Sequence, residues 1–223
     1  MLIESSQAQH FTDHYQALLG HVALVGNLLK TPIDPDRALA LMTEARDALA
    51  ADKSLLDKAA DAMEKAGTPL PQDIYDAAAS LRVNHWVYLR DTTAYSVFLE
   101  TGAIEAAYGV KGLNESIRDI MGDSGAIINA GLLEYAGCIV CDGLIALGAW
   151  LGPNHRSSFN EQLRVLRAEG KFSRDTLVPI RAPKKKSMAV RPAAKRGSWW
   201  GIAALLPDLG VTPTYIGRAR RNT

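Results

Sequence analysis

The strand-like residues of the chain are confined to one stretch, and this stretch constrains the fold more than any other feature. Between Trp86 and Trp150, aromatic and β-branched residues alternate with other residues in short runs separated by glycines. This alternation is typical of half-buried strands, whose successive side chains point to opposite faces of a sheet. We therefore expect a mainly antiparallel β core over residues 84–152.

The same stretch predicts individual elements. A meander of three strands is expected from residue 86 to residue 110, with a turn at 91–93, followed by one helical turn at 116–121 that is closed by Gly122. Two further strands are expected at 126–133 and 138–141, with a turn at 135–137 between them. Asp142-Gly143 is a strong turn signal. Periodicity does not decide between strand and helix for residues 144–151.

The residues on either side of this stretch have a helical period. Apolar residues recur every three or four positions, which predicts amphipathic helices. Four are expected in the first 83 residues: at about 6–30, from the Asp34-Pro35 cap to about 49, from 52 or 54 to Gly67, and at about 72–83. A fifth is expected at 156–169, with Phe159, Leu163 and Leu166 as its apolar stripe.

These elements together predict an α+β fold. It consists of an N-terminal antiparallel helical layer (residues 1–83), a β-rich core with its covering helix (84–170) and an extended, proline-containing basic C-terminal tail (171–223). We call residues 171–223 the basic tail. Its prolines exclude a long helix there.

The net charge of +1 conceals a division between two parts of the chain. The basic tail contains twelve Lys and Arg residues and two acids, a net charge of +10, so the first 170 residues carry −9. Three uses are typical of such a tail: contact with nucleic-acid phosphates, contact with an acidic protein surface, or docking on the acidic surface of its own chain.

Within the basic tail, clusters of cationic residues run directly into two neighbouring tryptophans. In complexes with single-stranded nucleic acid, cations follow the phosphates and aromatic rings stack on the bases. The pattern predicts a contact segment for nucleic acid or an acidic protein partner, formed by Lys184, Lys185, Lys186, Arg191, Lys195, Arg196, Trp199 and Trp200. In one competing interpretation, the tryptophans anchor the tail to the protein and the lysines are solvated. In the other, the whole tail is solvated and disordered.

Cysteine content and hydropathy indicate which cellular compartment is expected for the protein. Cys138 and Cys141 are the only cysteines, which excludes a disulfide framework, and the N-terminus lacks a signal-peptide pattern, so we expect a cytoplasmic protein. The most apolar window, 125–152, contains Glu134 and Asp142, so no membrane span is expected. In a strand, residues i and i+3 point to opposite faces, which favours two buried cysteines over a redox or zinc pair.

Histidines on the first helix provide the alternative prediction. His10 and His14 lie four residues apart on one helical face, and such a pair can bind a transition metal. This pair, or the core acids Asp119, Asp123 and Asp142, would serve a metal-dependent enzyme. The spacing of the three acids matches no metal-binding motif. The leading prediction is therefore a non-enzymatic interaction protein without a cofactor.

Four short motifs add a resemblance. They are Y-S-V-F-L at 95–99, Y-G-V-K-G-L at 108–113, D-G-L at 142–144 and R-S-S-F-N-E at 156–161. Together they resemble a pattern in a group of uncharacterised bacterial proteins. The resemblance covers residues 88–170, less than half of the chain, and it implies a shared domain and no particular reaction.

Overall fold

Helices lie on two sides of one mixed β-sheet, which confirms the predicted α+β class. The computed structural model describes residues 1–29, 37–102, 104–177 and 214–215. Its helices are α1 (Ser5–Val25), α2 (Ala38–Ala51), α3 (Ser54–Lys65), α4 (Gln72–Ser80), α5 (Ile117–Met121) and α6 (Pro153–Ala168). Its strands are β1 (Arg82–Asp91), β2 (Ser96–Glu100), β3 (Ala107–Lys111), β4 (Ala126–Tyr135), β5 (Cys138–Cys141), β6 (Ala146–Trp150), β7 (Phe172–Ser173) and β8 (Thr214–Tyr215).

Five of the strands close into a barrel. The predicted meander β1-β2-β3 is present, β3 pairs with β5 in parallel, and β5 pairs with β4. A long antiparallel pairing between β4 and β1 then closes the ring. The order β1-β2-β3-β5-β4, with a helix between the third and fourth strands, is that of a Greek-key barrel of the OB type.

The predicted turn at Asp142-Gly143 does not reverse the chain. β5 pairs with the C-terminal part of β4 and β6 with its N-terminal part, on the same edge of that strand. The two strands are therefore one long strand that is interrupted at residues 142–145. Gly143 lies in this interruption with a positive φ of 80°, a conformation that favours glycine. The chemistry of a turn and that of a bulge are similar, so the sequence alone does not separate them.

Three groups of buried side chains hold the layers together. The barrel interior is filled by large residues, among them Trp86, Tyr88, Phe98 and Tyr108. Helices α1 to α4 pack with the outer faces of β4 and β5. The predicted stripe of α6 is confirmed, because Phe159, Leu163 and Leu166 are buried against the outer faces of β1 and β2. Both outer faces of the barrel are therefore covered by helices.

Local sequence signals explain several helix ends. α3 is followed by Gly67, which has a positive φ of 79°, as expected of a glycine just beyond a helix. Ser116 caps α5 by accepting a hydrogen bond from the Asp119 N–H. α1 ends five residues earlier than expected, α4 ends at Ser80 and α6 begins at Pro153. The Asp34-Pro35 cap lies outside the described residues.

The first seven residues of the basic tail belong to the folded body. The Ala107 N–H donates to the Lys171 carbonyl and the Ile139 N–H to the Arg174 carbonyl, each at 3.0 Å. The segment therefore bridges β3 and β5 where these strands separate. Leu177 is 7% exposed and packs with the barrel interior. We call residues 1–177 the body.

Strand β8 pairs with β6, and the remainder of residues 178–223 lies outside the described residues. The extended form predicted for the basic tail therefore stays a prediction. Among the helices of the described ranges, none has the length and apolar character needed to cross a membrane.

Leu177→Ala tests whether the start of the basic tail is part of the folded core. Truncating a buried leucine removes apolar contacts, and we expect the free energy of unfolding to fall by about 2–4 kcal/mol. Val165→Ala on the exposed side of α6 is the control, with an expected change below about 0.5 kcal/mol. Denaturant unfolding measures both. Equal effects would show that Leu177 does not close the barrel.

Candidate functional site

The eight predicted contact residues of the basic tail, from Lys184 to Trp200, lie outside the described residues. The body contains the other predicted residues and shows which of them meet. It also contains three polar arrangements that bear on function: a buried ion pair, an acidic groove and a cluster of arginines with aromatic rings.

The helix-face histidines do not assemble a metal site in the part of the chain that the structure describes. His10 and His14 are neighbours, with ring centroids 4.5 Å apart. His14 uses Nδ1 to donate to the His10 carbonyl at 2.8 Å, and His10 Nε2 lies 3.2 Å from Asp73. Within residues 1–29, 37–102 and 104–177, no three His, Cys, Asp or Glu side chains are grouped as ligands for one metal ion.

The core acids have separate, local roles. Asp119 accepts a hydrogen bond from the Ser116 hydroxyl at 2.7 Å, and Asp123 lies 3.7 Å from Arg118. Asp142 is buried in another part of the fold. The three acids therefore do not form the joint site that the alternative prediction requires.

The two cysteines point to opposite sides of β5, as the strand period predicts. Cys138 packs with the N-terminal helices and Cys141 with the barrel interior. Both are free thiols, and burial raises the pKa of each. A thiol with a raised pKa is a poor nucleophile at neutral pH, so the pair is packed as small apolar residues.

A buried ion pair joins the helical layer to the interrupted strand. The side chains of Arg46 on α2 and Asp142 are both fully buried, with 3.4 Å between Arg46 Nη1 and Asp142 Oδ2. Arg46 also donates to Asn129 at 2.9 Å and to Asp47 at 2.9 Å. A further hydrogen bond runs from Arg46 to the Leu144 carbonyl. One guanidinium thus binds α2 to β4 and to the interruption between β5 and β6.

The carboxylate of Asp142, like the guanidinium of Arg46, has several hydrogen-bond partners. It accepts hydrogen bonds from the backbone N–H of Leu144 at 3.0 Å and of Gly131 at 3.3 Å. A Cβ at position 131 would collide with this carboxylate, so only glycine fits there. Burial raises the pKa of Asp142, to about 6, while Arg46 and the two N–H donors oppose the increase. All of these partners of the Asp142 carboxylate are groups of the protein itself, which is typical of an ion pair with a structural role.

An acidic groove of about 390 Å³ lies between the helical layer and the β4–β5 turn. It is lined by Gln7, Asp73, Asp76, Glu134, Tyr135, Ala136, Gly137 and Asp175. Four of these residues are acidic and none is Lys or Arg. Glu134 also accepts a hydrogen bond from the Leu177 N–H at 2.6 Å, so this groove lies close to the point where the chain leaves the body.

A cluster of arginines and aromatic rings lies on the outside of the barrel. We call Tyr95, Arg167, Phe172 and Arg174 the Arg–aromatic patch. The Arg167 guanidinium lies 4.8 Å from the centre of the Phe172 ring, and that of Arg174 lies 6.0 Å from the Tyr95 ring. The two rings are 5.5 Å apart. Arg167 also donates to the Tyr95 hydroxyl at 3.4 Å.

Backbone geometry on β3 makes room for this patch. At Gly109, a Cβ would lie 2.9 Å from Arg174 Cγ and 3.0 Å from the Tyr95 ring. Because glycine lacks this atom, both side chains lie directly on the strand. Phe172 is aligned with Ala107 by the pairing of β7 with β3. The patch therefore depends on the segment that follows α6.

The charges of the patch differ from those beside it. Arg164 is bound to Glu161 at 2.7 Å and Lys171 to Glu169 at 2.7 Å. Arg167 and Arg174 are exposed, and no carboxylate of the described residues lies within ion-pair distance of either. Their contacts are with the faces of aromatic rings. Each of the two half-buried rings thus contacts an arginine that has no carboxylate partner among the described residues.

Comparison of the chain with protein-family models, with curated proteins and with solved structures finds no match. The chemistry of this body must therefore be judged from its own geometry.

Sequence reasoning did not single out the Arg–aromatic patch. Tyr95 and Arg167 are 72 residues apart, and periodicity carries no information about such a contact. The available signal was local: aromatic and cationic residues alternate in Lys171, Phe172 and Arg174, directly after the helix that ends at Ala168.

Asp142→Asn tests the electrostatics of the buried pair. An acid whose pKa is raised by folding holds its proton more tightly in the folded state, so its contribution to stability decreases between about pH 4 and pH 6. The free energy of unfolding of the wild type minus that of Asp142→Asn should fall by roughly 2–3 kcal/mol as pH rises through this window. Urea unfolding at several pH values measures the difference.

Asp61→Asn, at an exposed position on α3, removes a carboxylate outside the buried pair and is the control, measured at the same pH values. If the difference for Asp142→Asn instead increased with pH, attraction to Arg46 would outweigh burial, and the assigned direction would be wrong.

Proposed function

We propose that the protein is a non-enzymatic interaction protein that binds single-stranded nucleic acid through residues 184–200 of its basic tail. The observation that supports this proposal is the division of charge at Leu177. Residues 178–223 contain ten Lys and Arg residues and one acid, whereas the body contains 15 Lys and Arg residues and 23 acids. The cationic segment thus begins where the described body ends.

The residue types of this segment favour nucleic acid over an acidic protein. Lys184, Lys185 and Lys186 precede Trp199 and Trp200 within one short stretch. Phosphates attract the cations, while indole rings provide stacking surfaces for unpaired bases of any sequence. An acidic protein surface would pair with the cations, and indoles also anchor protein interfaces, but such a surface offers no unpaired bases on which the rings can stack. An acidic protein is the alternative partner that the experiments must distinguish from nucleic acid.

The negative charge of the body also supports binding through the cationic segment. A surface that repels phosphates confines nucleic acid to the cationic segment and to any local cationic surface on the body. The alternative of a metal-dependent enzyme using His10 and His14 has weaker support, because both side chains are engaged with protein groups and lack further ligands among the described residues.

Neutralising the lysine run tests the proposal. In the full-length protein, Lys184→Gln/Lys185→Gln/Lys186→Gln should reduce the steepness of the salt dependence of binding. For single strands, the logarithm of affinity changes by about 0.7 per phosphate contact for each tenfold change in salt. Loss of three contacts therefore reduces this slope by about 2. Fluorescence anisotropy with a labelled oligouridylate measures it.

The matched control removes three exposed charges from the body, with Lys58→Gln/Lys65→Gln/Arg164→Gln. Its slope should equal that of the wild type. Equal slopes for all three proteins would contradict a role for the lysine run in binding.

Trp199→Ala/Trp200→Ala distinguishes nucleic acid from an acidic protein partner. Loss of stacking should weaken oligouridylate binding by about 1–3 kcal/mol per stacked base and leave the salt slope unchanged, because no cation is removed. Polyglutamate is the probe for the alternative. If polyglutamate binds as tightly as the oligonucleotide and the tryptophan variant binds both as the wild type does, the partner is an acidic protein.

A further inference from the structure

We infer that the Arg–aromatic patch is a second contact site for single-stranded nucleic acid, located on the body and distinct from residues 184–200 of the basic tail. The inference rests on the proposed ligand class but uses different residues. Tyr95, Arg167, Phe172 and Arg174 all belong to the described body. The contacts of these four side chains carry the argument.

The uncompensated charge of Arg167 and Arg174 is the first observation that supports this contact site. Two exposed cations near the patch have a carboxylate partner, Arg164 in Glu161 and Lys171 in Glu169. Arg167 and Arg174 contact aromatic rings and have no carboxylate within ion-pair distance in the described ranges. On a body with eight more acids than bases, two such cations on neighbouring rings form a local site for an anion.

The guanidinium groups of the patch are accessible to a ligand. Arg167 and Arg174 contact ring faces and are both exposed to solvent. Unpaired bases stack on arginine planes as well as on aromatic rings. Arg167 also donates to the Tyr95 hydroxyl at 3.4 Å, and this contact restricts its side chain in the absence of a ligand. A pre-positioned group loses less conformational freedom on binding.

The backbone that holds the patch residues in place also supports the inferred contact site. Tyr95 and Arg174 lie against the backbone at Gly109, where a side chain would displace them. Phe172 is held by the pairing of β7 with β3, and Leu177 anchors the same segment in the barrel interior. The segment that carries two patch residues continues directly into the cationic residues from position 181 onwards. The two sites are therefore close in sequence, with residues 175–183 between them.

The neighbouring acidic groove defines the limit of the site. Arg174 and Asp175 are adjacent in sequence, yet Arg174 faces Tyr95 and Asp175 lines the groove. Phosphates are thus attracted on one side of this segment and repelled on the other. This arrangement predicts that a bound strand runs over the patch and not through the groove.

Two double variants of the full-length protein test the inference. Arg167→Gln/Arg174→Gln should weaken binding of an oligouridylate of about 12 nucleotides roughly tenfold. Arg164→Gln/Lys171→Gln removes the same number of charges from the same part of the chain, but both residues are ion-paired, and its affinity should change less than about twofold. Thermal unfolding confirms that each variant is folded.

Two further measurements separate stacking from charge. Arg167→Lys/Arg174→Lys keeps both charges without the planar group and should bind more weakly than the wild type but more tightly than the glutamine variant. Photo-crosslinking with a 5-bromouracil-containing oligonucleotide, followed by mass spectrometry, should identify Tyr95 or Phe172. Equal losses for the two glutamine variants, together with no crosslink at either ring, would overturn the inference.

The tail variant Lys184→Gln/Lys185→Gln/Lys186→Gln distinguishes the two proposals. If it retains the crosslink at Tyr95 or Phe172, the patch is a site in its own right. If it loses affinity while Arg167→Gln/Arg174→Gln binds as the wild type does, the patch inference fails and the proposed function stands. If only the patch variant loses affinity, the patch inference stands and the role of the basic tail fails. Absence of oligonucleotide binding by the wild type overturns both.

Discussion

The pairing of β4 with β1 is the constraint on which the rest of the structure depends. It runs antiparallel from Arg82 opposite Leu132 to Tyr88 opposite Ala126 and closes five strands into a ring. Closure leaves no free edge between these two strands and encloses an interior of large aromatic and aliphatic side chains. The outward side chains of the same strands are also apolar, so helices must cover them. The α1–α4 layer and α6 do so on different faces.

Strand β4 also organises the buried polar groups. On its other edge it pairs with both β5 and β6, and the interruption between them places Asp142 beside Gly131. Arg46 reaches this carboxylate from α2, so a single ion pair fixes the helical layer against the barrel. Removing Arg46 would leave the Asp142 carboxylate buried without its cationic partner, which is far more costly than the net contribution of the pair itself.

Much of this fold could be predicted from the sequence because its signals are local. The capping of α5 by Ser116, the glycine after α3 and the opposite orientation of Cys138 and Cys141 follow from rules that span a few residues. Closure of the barrel and the contact of Arg46 with Asp142 could not be predicted, because they join residues far apart in sequence. The turn predicted at Asp142-Gly143 proved to be a bulge for the same reason: the partner strand decides the direction of the chain.

The two candidate sites differ in the same respect, because one could be predicted from the sequence and the other could not. The cationic segment with its tryptophans is visible in the sequence because charge and aromatic content are properties of composition. The Arg–aromatic patch needs α6, β7 and the loop before β2 to come together, and only the tertiary structure brings Tyr95 to Arg167 and Arg174. Residues 171–177 connect the two, because they complete the barrel and also lead into the cationic segment. A fold order shared with OB barrels does not by itself assign a function, so the argument rests on these side chains.

Hydrogen–deuterium exchange of the full-length protein, with and without a single-stranded oligonucleotide, tests the central claim most directly. Binding through the cationic segment and the Arg–aromatic patch predicts slower exchange in peptides covering residues 164–177 and 184–200, with no change in α2 and α3. Unchanged exchange in both of these regions, or slower exchange confined to α1–α4 and the acidic groove, would contradict the account.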